Sequence, residues 1–136
     1  MPAAAALHWE RIWRAIGFAL IAAVVALSLA PAPGLPIEIA GDDKAGHVMA
    51  YGVLMVWFAQ LHAGTPARAA LAAAFVAMGI ALEFAQGAFG LRQFDVHDMV
   101  ANAAGVLAGW VLAPPRGPRF LCWTEAQLRR GREEPA

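Results

Sequence analysis

Charge is scarce in this chain. Of its 136 residues 15% are Asp, Glu, Lys or Arg and 60% are hydrophobic, and the mean hydropathy is +0.56. A soluble domain carries charge on about a quarter of its residues. The apolar residues also fall into blocks, without the amphipathic periods of a water-soluble globule. Cysteine is nearly absent: Cys122 stands alone near the C-terminus, so no internal disulfide forms, and nothing around it marks a reactive thiol. The formal net charge is zero, so nothing calls for nucleic acid. The chain has no internal repeat, no glycine-rich phosphate loop, and no Ser or Cys in the setting of an activated nucleophile.

What is present is four apolar stretches. A membrane helix needs roughly 17–25 mainly apolar residues. The sequence predicts spans at about residues 12–30, 44–61, 67–89 and 95–113, followed by a cytoplasmic tail over 114–136, all in one domain. Pro31, Pro33 and Gly34 end the first span, Gly64-Thr65-Pro66 closes the second, and Pro114-Pro115 cannot continue the fourth. Arg11, Arg14, Arg68, Arg116, Arg119, Arg129, Arg130 and Arg132 fall on one side of such a bundle, and only Lys44 and Arg92 on the other. That asymmetry puts both termini in the cytoplasm. Arg11 and Arg14, an apolar run, and then Ser28 and Ala30 also fit a cleaved signal peptide. Cleavage near Ala30 or Ala32 leaves three spans in unchanged orientation. The fold class expected is all-α, an integral membrane four-helix bundle.

Polar residues interrupt three of the stretches, always near the outward end. On an ideal helix, Asp43, Lys44, His47 and Tyr51 share roughly 100° of arc. So do Gly79, Glu83, Gln86, Gly87 and Gly90, within roughly 100°. Asp95, Asp98, Asn102, Gly105 and Gly109 share roughly 80°. Small residues let membrane helices approach closely, and Gly105 to Gly109 forms a GxxxG step. Three helices packed through glycine would therefore pool their polar groups. Ionisable groups inside a membrane usually face a bundle interior, a partner or a water-filled cavity. Plainer readings stand beside this one. Asp95 fits an N-cap with Asp98 in the acidic first turn. His47 and Asn102 fit interhelical hydrogen bonds, and Lys44 and Arg92 fit interfacial residues reaching lipid phosphates. Glu83, between Ala81-Leu82 and Phe84-Ala85, needs a partner or a proton, with Lys44, His47 and Arg92 as candidates. His97 lies off the fourth stripe, and His8 and His62 sit near the predicted interfaces.

The ordered set Asp43-Lys44-Ala45-Gly46-His47-x-x-x-Tyr51, then Glu83-x-x-Gln86, then Arg92-x-x-Asp95-x-x-Asp98-x-x-x-Asn102-x-x-Gly105 resembles the VanZ-like family of small bacterial membrane proteins. The resemblance covers about residues 42–113. Gln93 stands where the family commonly has a small hydroxyl residue, a departure that bears on that position alone. The resemblance implies a multi-pass protein of the bacterial cytoplasmic membrane and cell envelope. The family's founding member is associated with low-level resistance to teicoplanin, a lipid-tailed glycopeptide, so tolerance of such antibiotics is an expectation attached to the resemblance.

Three functions compete. In the first, Asp43, Lys44, His47, Tyr51, Glu83, Gln86, Arg92, Asp95, Asp98 and Asn102 bind a lipid head group, a lipid-linked cell-wall intermediate or a lipoglycopeptide, with Lys44 and Arg92 meeting phosphate. In the second, the protein is an enzyme acting on a lipid-linked phosphate or ester, with His47 as general acid or base and Glu83 or Asp98 orienting it or sharing the proton. No cofactor is called for. If the enzyme uses a metal, Glu83, Asp95 and Asp98 would hold a hard divalent ion such as Mg²⁺. In the third, the polar set locks a small bundle or a homo-oligomer.

Overall fold

The computed structural model describes residues 7–30, 42–91 and 93–133. Among these residues all regular structure is helical: α1 (Glu10–Leu29), α2 (Asp42–Leu61), α3 (Thr65–Ala88), α4 (Val96–Leu112) and α5 (Phe120–Glu133). Arg92 and the side chain of Asp43 lie outside what is described.

Local chemistry sets the helix ends. Ala30 and Ala113 each precede a proline and leave the helical region with ψ of 143° and 162°, because the following ring crowds a helical ψ. Pro66 sits in the first turn of α3, where its missing N–H has no intrahelical partner to lose. At the far end of α3 the Gly90 N–H bonds the Gly87 carbonyl (3.3 Å) and the Leu91 N–H bonds the Gln86 carbonyl (3.0 Å). This is a Schellman turn. It requires a left-handed residue, supplied by Gly90 at φ 65°. The turn carries the chain towards Asp95, which begins α4.

Polar contacts fix the helix directions. The Trp57 indole, late in α2, donates to the Trp13 carbonyl, early in α1 (3.0 Å). Gln86, late in α3, donates to the Ser28 carbonyl, late in α1 (2.7 Å). Lys44, early in α2, reaches Asp95, just before α4 (3.2 Å). Hence α1 and α3 run one way, α2 and α4 the other. One end of the bundle collects the starts of α2 and α4 and the ends of α1 and α3. The opposite end carries α5.

Helix α2 is central, and its contact with α4 is the most extensive between helices. Glycine makes it possible. A Cβ on Gly105 would overlap the Val48 carbonyl, and one on Gly109 would stand 2.5 Å from the Gly52 carbonyl oxygen and 2.8 Å from Met55 Cβ. Around this seam Tyr51, Leu54, Met55 and Phe58 of α2 pack with Phe75 of α3 and Val106 of α4. The Phe58 and Phe75 rings meet edge to face, centroids 5.6 Å apart.

The outer surface is apolar and the interior is partly polar. Phe18, Leu27, Met49, Phe84, Leu107 and Leu112 are each more than half exposed, whereas Arg68, Glu83, Gln86, Asp98 and Asn102 are buried. A water-soluble bundle has the reverse arrangement. Two helices, α1 of 20 residues and α3 of 24, are long and apolar enough to cross a membrane. At about 1.5 Å per residue they match or exceed a hydrocarbon core about 30 Å thick. Helix α4 is a shorter apolar helix, and α2 falls below the same apolarity.

Two expectations change. The segment after Pro115 is not a plain tail, because α5 folds back and buries Leu121 and Glu125. Arg68, expected in the loop between the second and third spans, lies in the first turns of α3 and is buried. Its guanidinium donates to the carbonyls of His62 (2.6 Å) and Ala59 (2.8 Å), and to that of Pro114.

Candidate functional site

The glycine seam sets the register of α2 against α4. With Val48 over Gly105, the residues one turn earlier on both helices come face to face. His47 Nδ1 lies 2.9 Å from Asn102 Oδ1, and His47 Nε2 lies 3.6 Å from Asp98 Oδ2. One further turn towards the helix starts, Lys44 Nζ lies 3.2 Å from Asp95 Oδ2 and 3.4 Å from Asp98 Oδ1. Both His47 ring nitrogens thus face an oxygen, Nδ1 that of the Asn102 amide and Nε2 that of the Asp98 carboxylate.

Helix α3 supplies the third wall. Glu83 is 2% exposed. Its Oε2 accepts the Asp95 backbone N–H at a long 3.4 Å. Asn102 fits against α3 because residue 79 is glycine: a Cβ there would stand 2.8 Å from Asn102 Nδ2. The start of α4 is capped by Asp95, whose Oδ1 accepts the His97 N–H at 2.8 Å. Asp98 occupies the acidic first turn, where the helix dipole favours a carboxylate. The capping role and the contact with Lys44 therefore coexist in Asp95.

Side chains expected to share one site separate into three groups. His47, Glu83 and Asp98 each bring one donor atom to a common space, all within 4.8 Å of one another, and Asn102 adjoins them. Lys44 and Asp95 form the rim; their side chains are 46% and 35% exposed. Lys44 pairs with the two aspartates; Glu83 meets the Asp95 backbone N–H and adjoins His47, one of its expected partners, while Arg92, another, lies outside the described residues. Gln86 turns its amide nitrogen to Ser28 of α1 and ties that helix to the bundle. Tyr51 is buried one turn deeper than His47, and its hydroxyl has no hydrogen-bond partner among the described residues. Asp98 Oδ1 likewise has none among the described residues; Lys44 Nζ stands 3.4 Å from it. His97, set aside on helical phase, touches Asp95 through Nδ1 (2.8 Å). The signal that could have found it is the Asp-x-His spacing at a cap.

A family model described as VanZ/LLP1 matches residues 7–120. The chain belongs to the VanZ/LLP1 family. No curated protein and no solved structure matches it. The VanZ/LLP1 match includes α1 to α4 and so every helix that contributes to the cluster. Membership in VanZ/LLP1 and the two apolar helices together point to a membrane protein.

The VanZ/LLP1 cluster has definite chemical capacities. Its acceptors outnumber its donors. Among the described residues Glu83, Asp95 and Asp98 face Lys44 and the imidazoles of His47 and His97, and Lys44 pairs with the two aspartates and not with Glu83. An unpaired buried carboxylate is costly, so the inner part of the site suits a cation, an amine or hydroxyl donors. The rim, through Lys44, suits an anionic oxygen.

Proposed function

We propose that this VanZ/LLP1 protein is a multi-pass protein of the bacterial cytoplasmic membrane that binds the head group of a lipid or of a lipid-linked cell-wall intermediate. Helices α1 to α4 are the four spans, both termini are cytoplasmic, and the polar cluster lies near the outer leaflet. The observation that carries this reading is the cluster itself: incompletely paired ionisable groups, buried at one end of a bundle whose outside is apolar. Groups so placed mark ligand or proton paths in membranes. The distribution of Lys and Arg along the sequence supports the orientation. Lys44 meets phosphate, while Glu83, Asp98 and Asn102 take an amine or sugar hydroxyls. Tolerance of lipid-tailed glycopeptides belongs to the same reading, because a lipid tail brings such a drug to the same leaflet as the site.

The test has two parts. In a Cys122→Ala background, a cysteine at position 38 should react with an impermeant thiol reagent applied to intact cells, and one at position 118 should not. The reverse labelling overturns the orientation. Lipid mass spectrometry of protein purified in mild detergent should find a co-purified phosphate-bearing lipid that is lost from a folded Glu83→Gln variant. Equal lipid in both proteins removes Glu83 from the binding site.

One contact favours a second reading. Asn102 anchors the His47 imidazole through Nδ1 and leaves Nε2 beside Asp98, a setting in which a general acid or base can act. Turnover of a lipid-linked phosphate or ester by the wild type, lost in His47→Asn, would replace simple binding by catalysis.

A further inference from the structure

His47, Glu83 and Asp98 form more than an acidic patch. Their donor atoms, one imidazole nitrogen and two carboxylate oxygens, lie within 4.8 Å of one another. In a tetrahedral site with donor distances of about 2.1 Å, neighbouring donors stand about 3.4 Å apart. Any wider pair has to close by about 1.4 Å at most, which side-chain rotation supplies. His47 Nε2 and Asp98 Oδ2, 3.6 Å apart, already stand at the edge length of a coordination polyhedron.

Two further observations point to an ion. The first is the setting of His47. Its Nδ1 faces Asn102 Oδ1 at 2.9 Å, and with the proton on Nδ1 the Nε2 beside Asp98 can serve as a ligand atom. Histidines that bind metal almost always give their other N–H to such an oxygen, which fixes ring and tautomer. Asn102 is itself seated by the absence of a Cβ on Gly79. The second is missing polar partners. The buried Asp98 Oδ1 and the Tyr51 hydroxyl have no hydrogen-bond partner among the described residues, and Tyr51 is close enough to Glu83 to feel its charge. Lys44 is divided between two aspartates and does not neutralise Glu83. Asp95 is excluded from the ligand set because its carboxylate caps α4 and holds Lys44 and His97.

We propose that His47 Nε2, Glu83 and Asp98 bind one divalent transition-metal ion of the zinc class, with a coordination position left open towards Lys44. Mixed imidazole and carboxylate donors suit such an ion, and three protein ligands leave room for an outside oxygen. An oxygen of a phosphate or of water fills that position, with Lys44 beside it. The inference concerns the same cluster as the head-group reading but stands without it, because metal is measured on delipidated protein. Loss of one reading leaves the other intact.

The experiment uses the tag-free full chain in detergent, stripped with chelator and then equilibrated with Zn²⁺. After desalting, elemental analysis should find close to one Zn²⁺ per chain, and the ion should raise the melting temperature. Co²⁺ in its place should give the intense visible absorption of a four- or five-coordinate site. Glu83→Gln, Asp98→Asn and His47→Ala should each weaken Zn²⁺ binding by tenfold or more, and Asn102→Ala by about 10–100-fold through the orientation of His47. Wild-type protein that retains no Zn²⁺ overturns the proposal. So does retention undiminished in all four variants. If a variant does not fold, the wild-type Co²⁺ spectrum decides, and the weak absorption of a six-coordinate aquo ion counts against the site.

Discussion

Both ends of this bundle bury charge, yet they treat it differently. At the end that carries α5, the two buried charges, Arg68 and Glu125, each make three hydrogen bonds. The Arg68 guanidinium donates to three backbone carbonyls, those of Ala59, His62 and Pro114. The Glu125 carboxylate accepts the backbone N–H groups of His8 and Trp9, both at 2.8 Å, and the Trp13 indole N–H at 2.6 Å. At the other end the accounts stay open. Among the described residues Glu83 has one long hydrogen bond, Lys44 serves two aspartates, and Asp98 Oδ1 and the Tyr51 hydroxyl have no hydrogen-bond partner. Burial of an ionisable group therefore does not by itself mark a functional site. Unused hydrogen-bonding and charge capacity does, because it costs free energy until something else occupies it.

The largest effect that would sharpen this comparison is expected from Arg68→Ala. It leaves three carbonyls without a donor and should destabilise the protein by on the order of 3–5 kcal/mol. Arg68→Lys should recover only part of the loss, since an ammonium lacks the planar fork. Denaturant unfolding in detergent measures both, and a loss no greater than that of an exposed arginine breaks the comparison. Next comes the seam that sets the register. Gly105→Ala drives a methyl group into the Val48 carbonyl and should cost about 1–3 kcal/mol. It should also displace His47 from Asn102 and weaken ligand binding, whereas Gly46→Ala, with nothing within 4 Å of the added atom, should leave fold and binding unchanged.

Smaller in stability but larger in function is Glu83→Gln. Removing a carboxylate that Lys44 does not pair should change stability by about 1 kcal/mol or less and abolish binding. Unfolding as severe as that of Arg68→Ala would make both ends structural locks and erase the distinction.

The smallest effect concerns pH. Burial disfavours the Glu125 carboxylate, but the N–H groups of Trp9 and His8 and the Trp13 indole outweigh it and hold its pKa below the ordinary range. A carboxylate with a lowered folded-state pKa contributes stability above its unfolded pKa of about 4.3, and that contribution fades as pH falls through the folded value. Amide exchange in α5 should thus accelerate at pH below about 4. In Glu125→Gln that acid-dependent step should be absent. A wild-type α5 that exchanges at the same intrinsic-corrected rate across this range would show that Glu125 does not hold it.

Legibility in the sequence followed physical range. Pro31 and Pro114 announced the ends of α1 and α4, and the structure places them within a residue or two of the expected positions. The polar stripes named the faces that meet, since His47, Glu83 and Asp98 do converge. Helix α5 was not legible, because its residues are too polar to form an apolar run and its anchor, Glu125, binds backbone N–H groups more than a hundred positions away. Arg68 was illegible for the same reason: its partners are carbonyls, which every residue carries. Gln86 shared the Glu83 stripe and still turned to Ser28, as helical phase does not say which neighbour a long side chain reaches.

The sequence by itself determined helices α1 to α4, their apolar surfaces, the family and the set of polar residues brought to one end. Those follow from composition, from the 3.6-residue period and from proline and glycine chemistry, all local along the chain. Only the tertiary structure decided which polar groups pair. Helical periodicity fixes the face of a residue but leaves free the axial slide and rotation of one helix against another. Here that freedom is removed by the contact of Gly105 and Gly109 with the backbone of Val48 and Gly52. The same contact sets His47 against Asn102 and Asp98 and leaves Lys44 at the rim, paired with the aspartates and not with Glu83.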